Sequence, residues 1–177
     1  MQSAEAPQQD LLLVGGGHAH ALALRMLAMQ PLAGLRITLV SPAAFTPYSG
    51  MLPGLLAGHY RFEDTHIDLA RFCQWAGVRF LADEVVSLDP QARRLGCRHR
   101  GELGYDLLSL DIGSQPELDS VPGAREHALP VKPVAGLWQR WQELLQGGPP
   151  GRIAVVGGGA GSVEIALAVR SEERRVG

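Results

Sequence analysis

The chain has 177 residues, of which 46% are hydrophobic and 19% charged, with a formal net charge of −2. That balance is globular; it excludes a disordered polyelectrolyte and offers no basic face for nucleic acid. Two cysteines, Cys73 and Cys97, with no CxxC spacing, exclude a disulfide framework and a zinc ribbon and suit a reducing cytoplasm.

The opening MQSAEAPQQD lacks a positively charged start, so residues 1–10 read as a flexible leader and not as a signal peptide. Leu11 to Val14 is a short apolar run with no solvent face, the pattern of a buried parallel strand. Gly15-Gly16-Gly17 follow. Ala19, Leu22, Ala23, Met26 and Leu27 then recur at helical spacing, and the helix stops before Pro31. Leu35 to Val40 is a second strand, so residues 11–40 form a β-α-β unit of the ~30-residue size of a mononucleotide-binding fold.

Ser41 to Tyr60 holds Pro42, Pro47, Pro53, Ser49, Gly50, Gly54 and Gly58 and few charges. It reads as a long apolar loop, and a loop this long and this apolar is either functional or wrongly placed. Thr65 to Ala76 reads as a helix with Leu69, Phe72, Cys73 and Ala76 on its apolar stripe. Val78 to Leu88 opens a β-rich stretch, with a turn at Asp89-Pro90-Gln91, a strand at Arg93 to Arg98, a turn at Gly101 to Gly104 and a strand at Asp106 to Ile112. After a proline-rich loop, Val134, Leu137, Trp138, Trp141, Leu144 and Leu145 mark the cleanest amphipathic helix of the chain. Residues 147–151 read as a linker. Arg152 to Val156 is the next expected strand, followed by Gly157-Gly158-Gly159 and another helix. The terminal RSEERRVG resembles a translated DNA-sequencing adapter, so residues 171–177 are set aside as a non-native tail on an N-terminal fragment.

The chemistry lies in the repeated order strand, glycine turn, helix. In a dinucleotide site the first glycine permits a tight turn, the second lets backbone approach a pyrophosphate, and the third lets helix and strand pack closely. The helix N-terminus then holds the anion. Gly15 and Gly17 fill the first two places of one copy, and the third falls on His20. Gly157 and Gly159 fill them in the other, and the third falls on Ser162. A histidine at the third place is expected to push the helix from the strand or to point its ring outward. The acid that would bind a ribose at the end of the second strand is replaced by Ser41, next to Pro42.

Two such turns flanking a β-rich insert resemble the two-dinucleotide-binding-domain flavoproteins of the pyridine nucleotide-disulfide oxidoreductase superfamily. The resemblance runs from residue 11 to about 169. YDLLSLDIGS (Tyr105 to Ser114) is similar to the family's "YD…L…ATGS" segment beside FAD, with Asp111-Ile112 in place of Ala-Thr and Gly113 retained. DEVVSLD (Asp83 to Asp89) resembles the segment that meets adenine, with Val85 at the contact position. Glu164 matches the acidic residue after the second turn. The loop FTPYSGMLPG (Phe45 to Gly54) has no redox cysteine pair and is similar to that of type II NADH dehydrogenases. GGGHAH together with TPYSGMLPG resembles a bacterial flavoprotein group associated with selenide, water dikinase.

The resemblance implies a Rossmann-like, three-layer FAD/NAD(P)-binding α/β fold with a β-rich insert. It implies an FAD-binding domain over residues 11–146 and the first strand-turn-helix of an NAD(P)-binding domain over 152–170. The first turn would take FAD and the second NADH or NADPH. Electrons would pass from NAD(P)H through flavin to a small-molecule acceptor such as a quinone, in the cytoplasm or peripherally at the inner face of the membrane, with the fragment itself inactive. The alternative is a non-catalytic nucleotide-binding regulatory module that serves a selenophosphate-synthesis partner. Cofactor contacts are expected from Gly15, Gly16, Gly17, His18, Ala19, His20, Ser41, Pro42, Tyr48, Ser49, Gly50, Val85, Gly113, Gly157, Gly159, Ser162 and Glu164.

Several of these residues carry a second reading. The imidazoles of His18 and His20 either lie over the pyrophosphate or flavin or merely pack at the helix start. They are two apart and so do not share a helix face, which argues against a metal pair. Tyr48 either stacks on flavin or is a buried loop aromatic. Cys73 reads as core, and Cys97 either as an ordinary strand cysteine or, beside Arg98, His99 and Arg100, as a low-pKa thiol. No side chain is nominated as a catalytic acid or base, since the flavin does the chemistry.

Overall fold

A computed structural model of the chain describes residues 9–147 and 151–176, with side chains as far as residue 170. Most of the leader, the centre of the expected linker and Gly177 lie outside the described residues, as do the side chains of the expected tail. The chain forms two compact units. One comprises the chain up to Thr46 together with Ile67–Gly113, and the other Pro47–His66 together with Ser114 onward.

The first unit is built on a parallel sheet. Strand β1 (Gln9–Val14) leads into helix α1 (His18–Met29) and back through β2 (Leu35–Ser41), which lies parallel to β1 with Leu11 opposite Ile37 and Val14 opposite Val40. Strand β5 (Arg79–Ala82) extends the sheet beyond β2, and β9 (Leu107–Leu110) pairs with the other edge of β1, giving the order β5-β2-β1-β9. Chain connections therefore leave β1 in opposite directions. The C-terminal ends of β1 and β9 flank a switch point, where α/β sheets bind ligands.

Alternate residues of the strands face opposite sides, and both sides are covered. Leu13 and Leu39 pack with Leu24 of α1 and with Leu69 and Cys73 of α3 (Leu69–Ala76). Leu12, Val14 and Val40 pack with Leu95 and Cys97 of a three-stranded antiparallel sheet. That sheet consists of β6 (Val85–Asp89), β7 (Arg94–Cys97) and β8 (Gly101–Gly104). The result is the three-layer arrangement expected, helices over parallel sheet over β-rich insert. Each fully buried leucine of this core contributes about 1.5–3 kcal/mol of transfer free energy. Helix α3 starts where Asp68 accepts the Arg71 amide at 3.0 Å and ends at Gly77, whose φ of +67° suits glycine.

Four expectations need correction. The helix expected over Thr65–Ala76 begins only at Leu69, because His66–Asp68 is a strand and the Asp68 side chain caps the helix after it. Gly101 to Gly104 is a strand and not a turn, because its residues pair in register with Arg94–Cys97; the ladder overrides the low strand preference of its two glycines. The loop from Ser41 to Tyr60 contains β3 (Phe45–Pro47), a 3₁₀ turn at Ser49–Met51 and helix α2 (Leu52–Leu56). Pro53 sits in the first turn of α2, where its missing N–H costs nothing. Arg152 to Val156 is not a strand: no described segment pairs with it, and Val156 is 93% exposed.

In the second unit α2, α5 (Val134–Gln146) and α6 (Ala160–Val176) share one core. Leu52, Leu56 and Ala57 pack with Val134, Leu137 and Trp141 and with Ala168 and Val169. The proline-rich stretch before α5 includes one further turn of helix, α4 (Ala124–His127). Strand β3 pairs with β4 (His66–Asp68) where the chain passes from one unit to the other.

Candidate cofactor site

The first glycine turn closes on the end of β1. Gly15 has φ +93°, and its amide donates to the Val40 carbonyl at 2.8 Å. A Cβ on Gly15 would lie 2.2 Å from the backbone oxygen of Asp111. No L side chain fits there, so tertiary crowding as well as φ requires glycine. A Cβ on Gly16 would lie 2.3 Å from Leu69 Cδ1 and 3.3 Å from Ser41 Oγ. Gly17 is the N-cap of α1, supplies no side-chain cap, and is followed by no acid in the first turn.

The missing cap comes from the end of β9. Asp111 donates its amide to the Val14 carbonyl at 2.8 Å and accepts the Gly17 amide on its own carbonyl at 3.3 Å. Its carboxylate Oδ2 accepts the His20 amide at 3.1 Å. This does for α1 what a serine or aspartate N-cap does for other helices.

His20 is 4% exposed and turns inward, neither displaced outward nor laid over the open end of the turn. Its Nδ1 lies 2.8 Å from the Gly15 carbonyl and its Nε2 2.9 Å from Ser109 Oγ. A carbonyl only accepts, so Nδ1 carries a proton; in the neutral ring Nε2 accepts from the Ser109 hydroxyl. The ring thus ties the turn to β9 at the place where the strict motif has a glycine. His18 and Ala19 are exposed at the start of α1, so the two histidines face opposite ways. Among the described residues no group of three or more His, Cys, Asp or Glu side chains is placed to hold a metal.

Ser41 is buried, and its hydroxyl donates to the Ala43 carbonyl at 3.1 Å. Its carbonyl accepts the Asp83 amide at 3.1 Å. Pro42 beside it is exposed. The structure brings Gly15, Gly16, Gly17, His20, Ser41 and Asp111 together at the C-terminal end of the sheet, with Gly113 two residues beyond Asp111 at φ +75°. Val85 opens β6 and packs partly buried against the insert core. In the second unit Tyr48 is 48% exposed, which excludes the reading of a buried aromatic. Its ring lies over Gly50, where a Cβ would stand 3.2 Å from Cε1, and Ser49 begins the 3₁₀ turn between them. Gly157 has φ +133°, and a Cβ there would meet Ser162 Oγ at 2.6 Å. Ser162 donates its amide to the Gly159 carbonyl at 3.0 Å, and Glu164 is exposed on α6.

Sequence reasoning missed three partners. Ser109 and Leu69 are ordinary residues of a strand and a helix, and only the pairing order places them at the turn. Asp83, whose side chain is fully enclosed, accepts the amides of Glu84 at 2.8 Å and His99 at 3.2 Å and the His99 ring Nδ1 at 3.1 Å. Burial alone would raise the Asp83 carboxyl, but these bonds hold it below the usual carboxylate range. Burial pushes the Cys73 thiol up to about 11, and burial with the nearby Asp83 charge also raises Cys97. Both cysteines are therefore unreactive core thiols.

A family model described as pyridine nucleotide-disulphide oxidoreductase matches residues 9–176. The chain belongs to that family. Among its relatives, the NADH dehydrogenase-like protein YutJ of Bacillus subtilis is 24% identical over 92% of this chain and 45% of its own length. The alternative NAD(P)H-ubiquinone oxidoreductase C1 of Arabidopsis thaliana is 27% identical over 87% of this chain and 34% of its own. The crystal structure of the sulfide:quinone oxidoreductase of Aquifex aeolicus superposes with a TM-score of 0.72 at 24% identity, covering 96% of this chain and 40% of that one. The chain thus spans less than half the length of the curated relatives it matches.

The family and its NADH dehydrogenase-like members bind FAD and NAD(P)H, and these are the cofactors that go with this fold. The residues of the first turn suit a dinucleotide. The backbone at Gly15 to Gly17 carries no side chains and lies at the switch point and at a helix N-terminus, where the Asp111 carboxylate takes one of the first-turn amides. No helix among the described residues is long and apolar enough to cross a membrane.

Proposed function

We propose that this chain seats FAD at Gly15–Gly17 in an oxidoreductase that passes electrons from NAD(P)H through flavin to a quinone. The observation that carries the reading is the glycine turn at the switch point between β1 and β9, with the backbone of Gly15 and Gly17 locked to Asp111. Bound there, FAD supplies the redox chemistry; the residues of the chain bind and orient it. The α1 amides and dipole face the pyrophosphate. Ser41 and Val85 bound the adenosine end and Gly113 offers backbone beside the cofactor. Tyr48 to Gly50 belong to the second unit, where they form an exposed aromatic loop. Gly157, Gly159, Ser162 and Glu164 start the NAD(P)H site. The quinone is inferred from the ubiquinone and quinone acceptors named for the Arabidopsis and Aquifex relatives. We place the protein in the cytoplasm, attached peripherally to the membrane that holds the quinone, and in association with selenide, water dikinase on the sequence resemblance alone.

The full-length protein is expected to purify yellow, to bleach anaerobically with NADH or NADPH, and to regain colour when a soluble quinone is added. A colourless protein that takes up no FAD overturns the assignment. A second reading, a nucleotide-binding module without turnover, is favoured by the carboxylate of Asp111 at the turn. Stable FAD binding with no bleaching by either nicotinamide would decide for it.

A further inference from the structure

We propose that Asp111 is an affinity-determining residue of the cofactor site: its carboxylate occupies the phosphate-facing end of α1, so a pyrophosphate binds there against a fixed negative charge. The inference rests on the FAD reading above.

Three observations place the charge. Asp111 is held by backbone bonds on both sides, to Val14 at 2.8 Å and from Gly17 at 3.3 Å, so the residue does not swing clear as a surface carboxylate would. Its Oδ2 already takes the His20 amide at 3.1 Å, an amide of the same first helical turn that draws anions. The carboxylate and the turn also interlock, because a Cβ on Gly17 would stand 2.2 Å from the Asp111 carboxyl carbon. Gly17 is the glycine through which backbone approaches the pyrophosphate. The carboxylate therefore stands beside the surface that the anion must reach.

Beyond that helix end, no cationic side chain among the described residues is paired with this charge. Both ring nitrogens of His20 are engaged by Gly15 and Ser109. None of the ion pairs formed among the described residues includes Asp111. A carboxylate and a diphosphate drawn to the same helix N-terminus repel each other. The helix cap and the ligand thus draw on the same dipole, and stability of the empty turn is gained at the expense of ligand affinity.

The test uses the apoprotein and two substitutions, with calorimetric titration of ADP, FAD, adenosine and riboflavin. Asp111→Asn keeps the shape and an acceptor oxygen but removes the charge. It is expected to tighten ADP and FAD by about tenfold, while adenosine and riboflavin, which lack phosphate, are unchanged. Asp111→Ala removes cap and charge together. It is expected to lower the melting temperature of the apoprotein and still to tighten ADP, two shifts of opposite sign that loss of a merely structural residue does not give. Unchanged or weaker ADP binding in Asp111→Asn overturns the proposal, as does an equal gain for adenosine. If the unsubstituted protein binds FAD and Asp111→Asn shows no gain, this inference fails and the FAD reading stands. If neither protein takes up FAD or ADP, both fail.

Discussion

The two glycine turns read almost alike, GGGHAH at residues 15–20 and GGGAGS at 157–162, yet the protein surrounds them differently. Around the first, added Cβ atoms at Gly15, Gly16 and Gly17 would all run into neighbours at 2.2–2.3 Å. Around the second, Gly158, Gly159 and Gly161 have nothing within 4 Å, and Gly157 meets only the end of the Ser162 side chain. The first turn needs Gly15 for the fold itself, because its neighbour is backbone; at Gly16 and Gly17 the neighbours are the side-chain ends of Leu69 and Asp111. The second turn has no such need, apart from the positive φ of Gly157, so a requirement for glycine there has to come from a ligand. A shared motif thus hides two physical causes, and substitutions separate them.

The largest effect is expected at Gly15. Alanine there meets the Asp111 backbone and adopts a φ of +93°, and neither can yield without moving β9 from β1. Gly15→Ala should cost upward of ~3 kcal/mol in urea unfolding, whereas Gly158→Ala should stay within ~0.5 kcal/mol. Equal midpoints for the two variants would erase the distinction between the turns.

Next comes the third position of each motif. His20→Ala removes a buried ring and leaves the Gly15 carbonyl and the Ser109 hydroxyl without their partner, a loss of about 2–3 kcal/mol. Ser162→Ala in the second turn should cost less than ~1 kcal/mol. His20→Gly restores the glycine of the strict motif and should be worse than alanine by up to ~1 kcal/mol, because helical glycine adds backbone entropy loss. A stabilised His20→Gly protein would show that the imidazole is tolerated and not used.

Legibility followed the same divide. The β1-turn-α1-β2 unit was readable because each part is local: an apolar run, glycines and a helical period. Helix α5 was readable for the same reason. Strand β8 was not, since Gly101 and Gly104 look like turn residues until Arg94–Cys97 pairs with them. Residues 152–156 failed in the opposite sense, for an apolar run is a strand only where a partner exists. At the site, the sequence marked His20 and Asp111 as departures from the motif but did not reveal that the Asp111 carboxylate takes the His20 amide while the His20 ring reaches Ser109 of β9. The carboxylate contact spans 91 residues of chain, and no spacing rule reaches so far. Crowded glycines are the trace it leaves, visible only once the strand order is known.

A smaller effect should appear with acid, and only in the first unit. Asp83 keeps a folded carboxyl below its ordinary range despite burial, so it stabilises the fold above the unfolded value of about 3.9. That contribution is lost as pH falls from there through the folded value. Circular dichroism against pH should show a steep acid limb that Asp83→Asn flattens. An unchanged limb would mean that the bonds from Glu84 and His99 form with the protonated group as well. Other carboxylates of depressed pKa, such as Asp119 with Arg125, belong to solvent-exposed pairs and should add little.

The smallest effect on the fold belongs to Gly159, and there the comparison is sharpest. A Cβ at Gly159 meets no atom of the chain within 4 Å, and the residue has no positive φ. Gly159→Ala should therefore melt within about 2 °C of the unsubstituted protein. The methyl group would project into the space that backbone leaves open ahead of α6. If that space is for the pyrophosphate of NAD(P)H, the substitution should slow flavin bleaching by the nicotinamide at least about tenfold while FAD remains bound, since a displacement of about 1 Å at a positioning contact carries a penalty of that order or more. Wild-type bleaching in a stable Gly159→Ala protein would mean that the open space serves no dinucleotide. The resemblance between the two turns would then be one of sequence only.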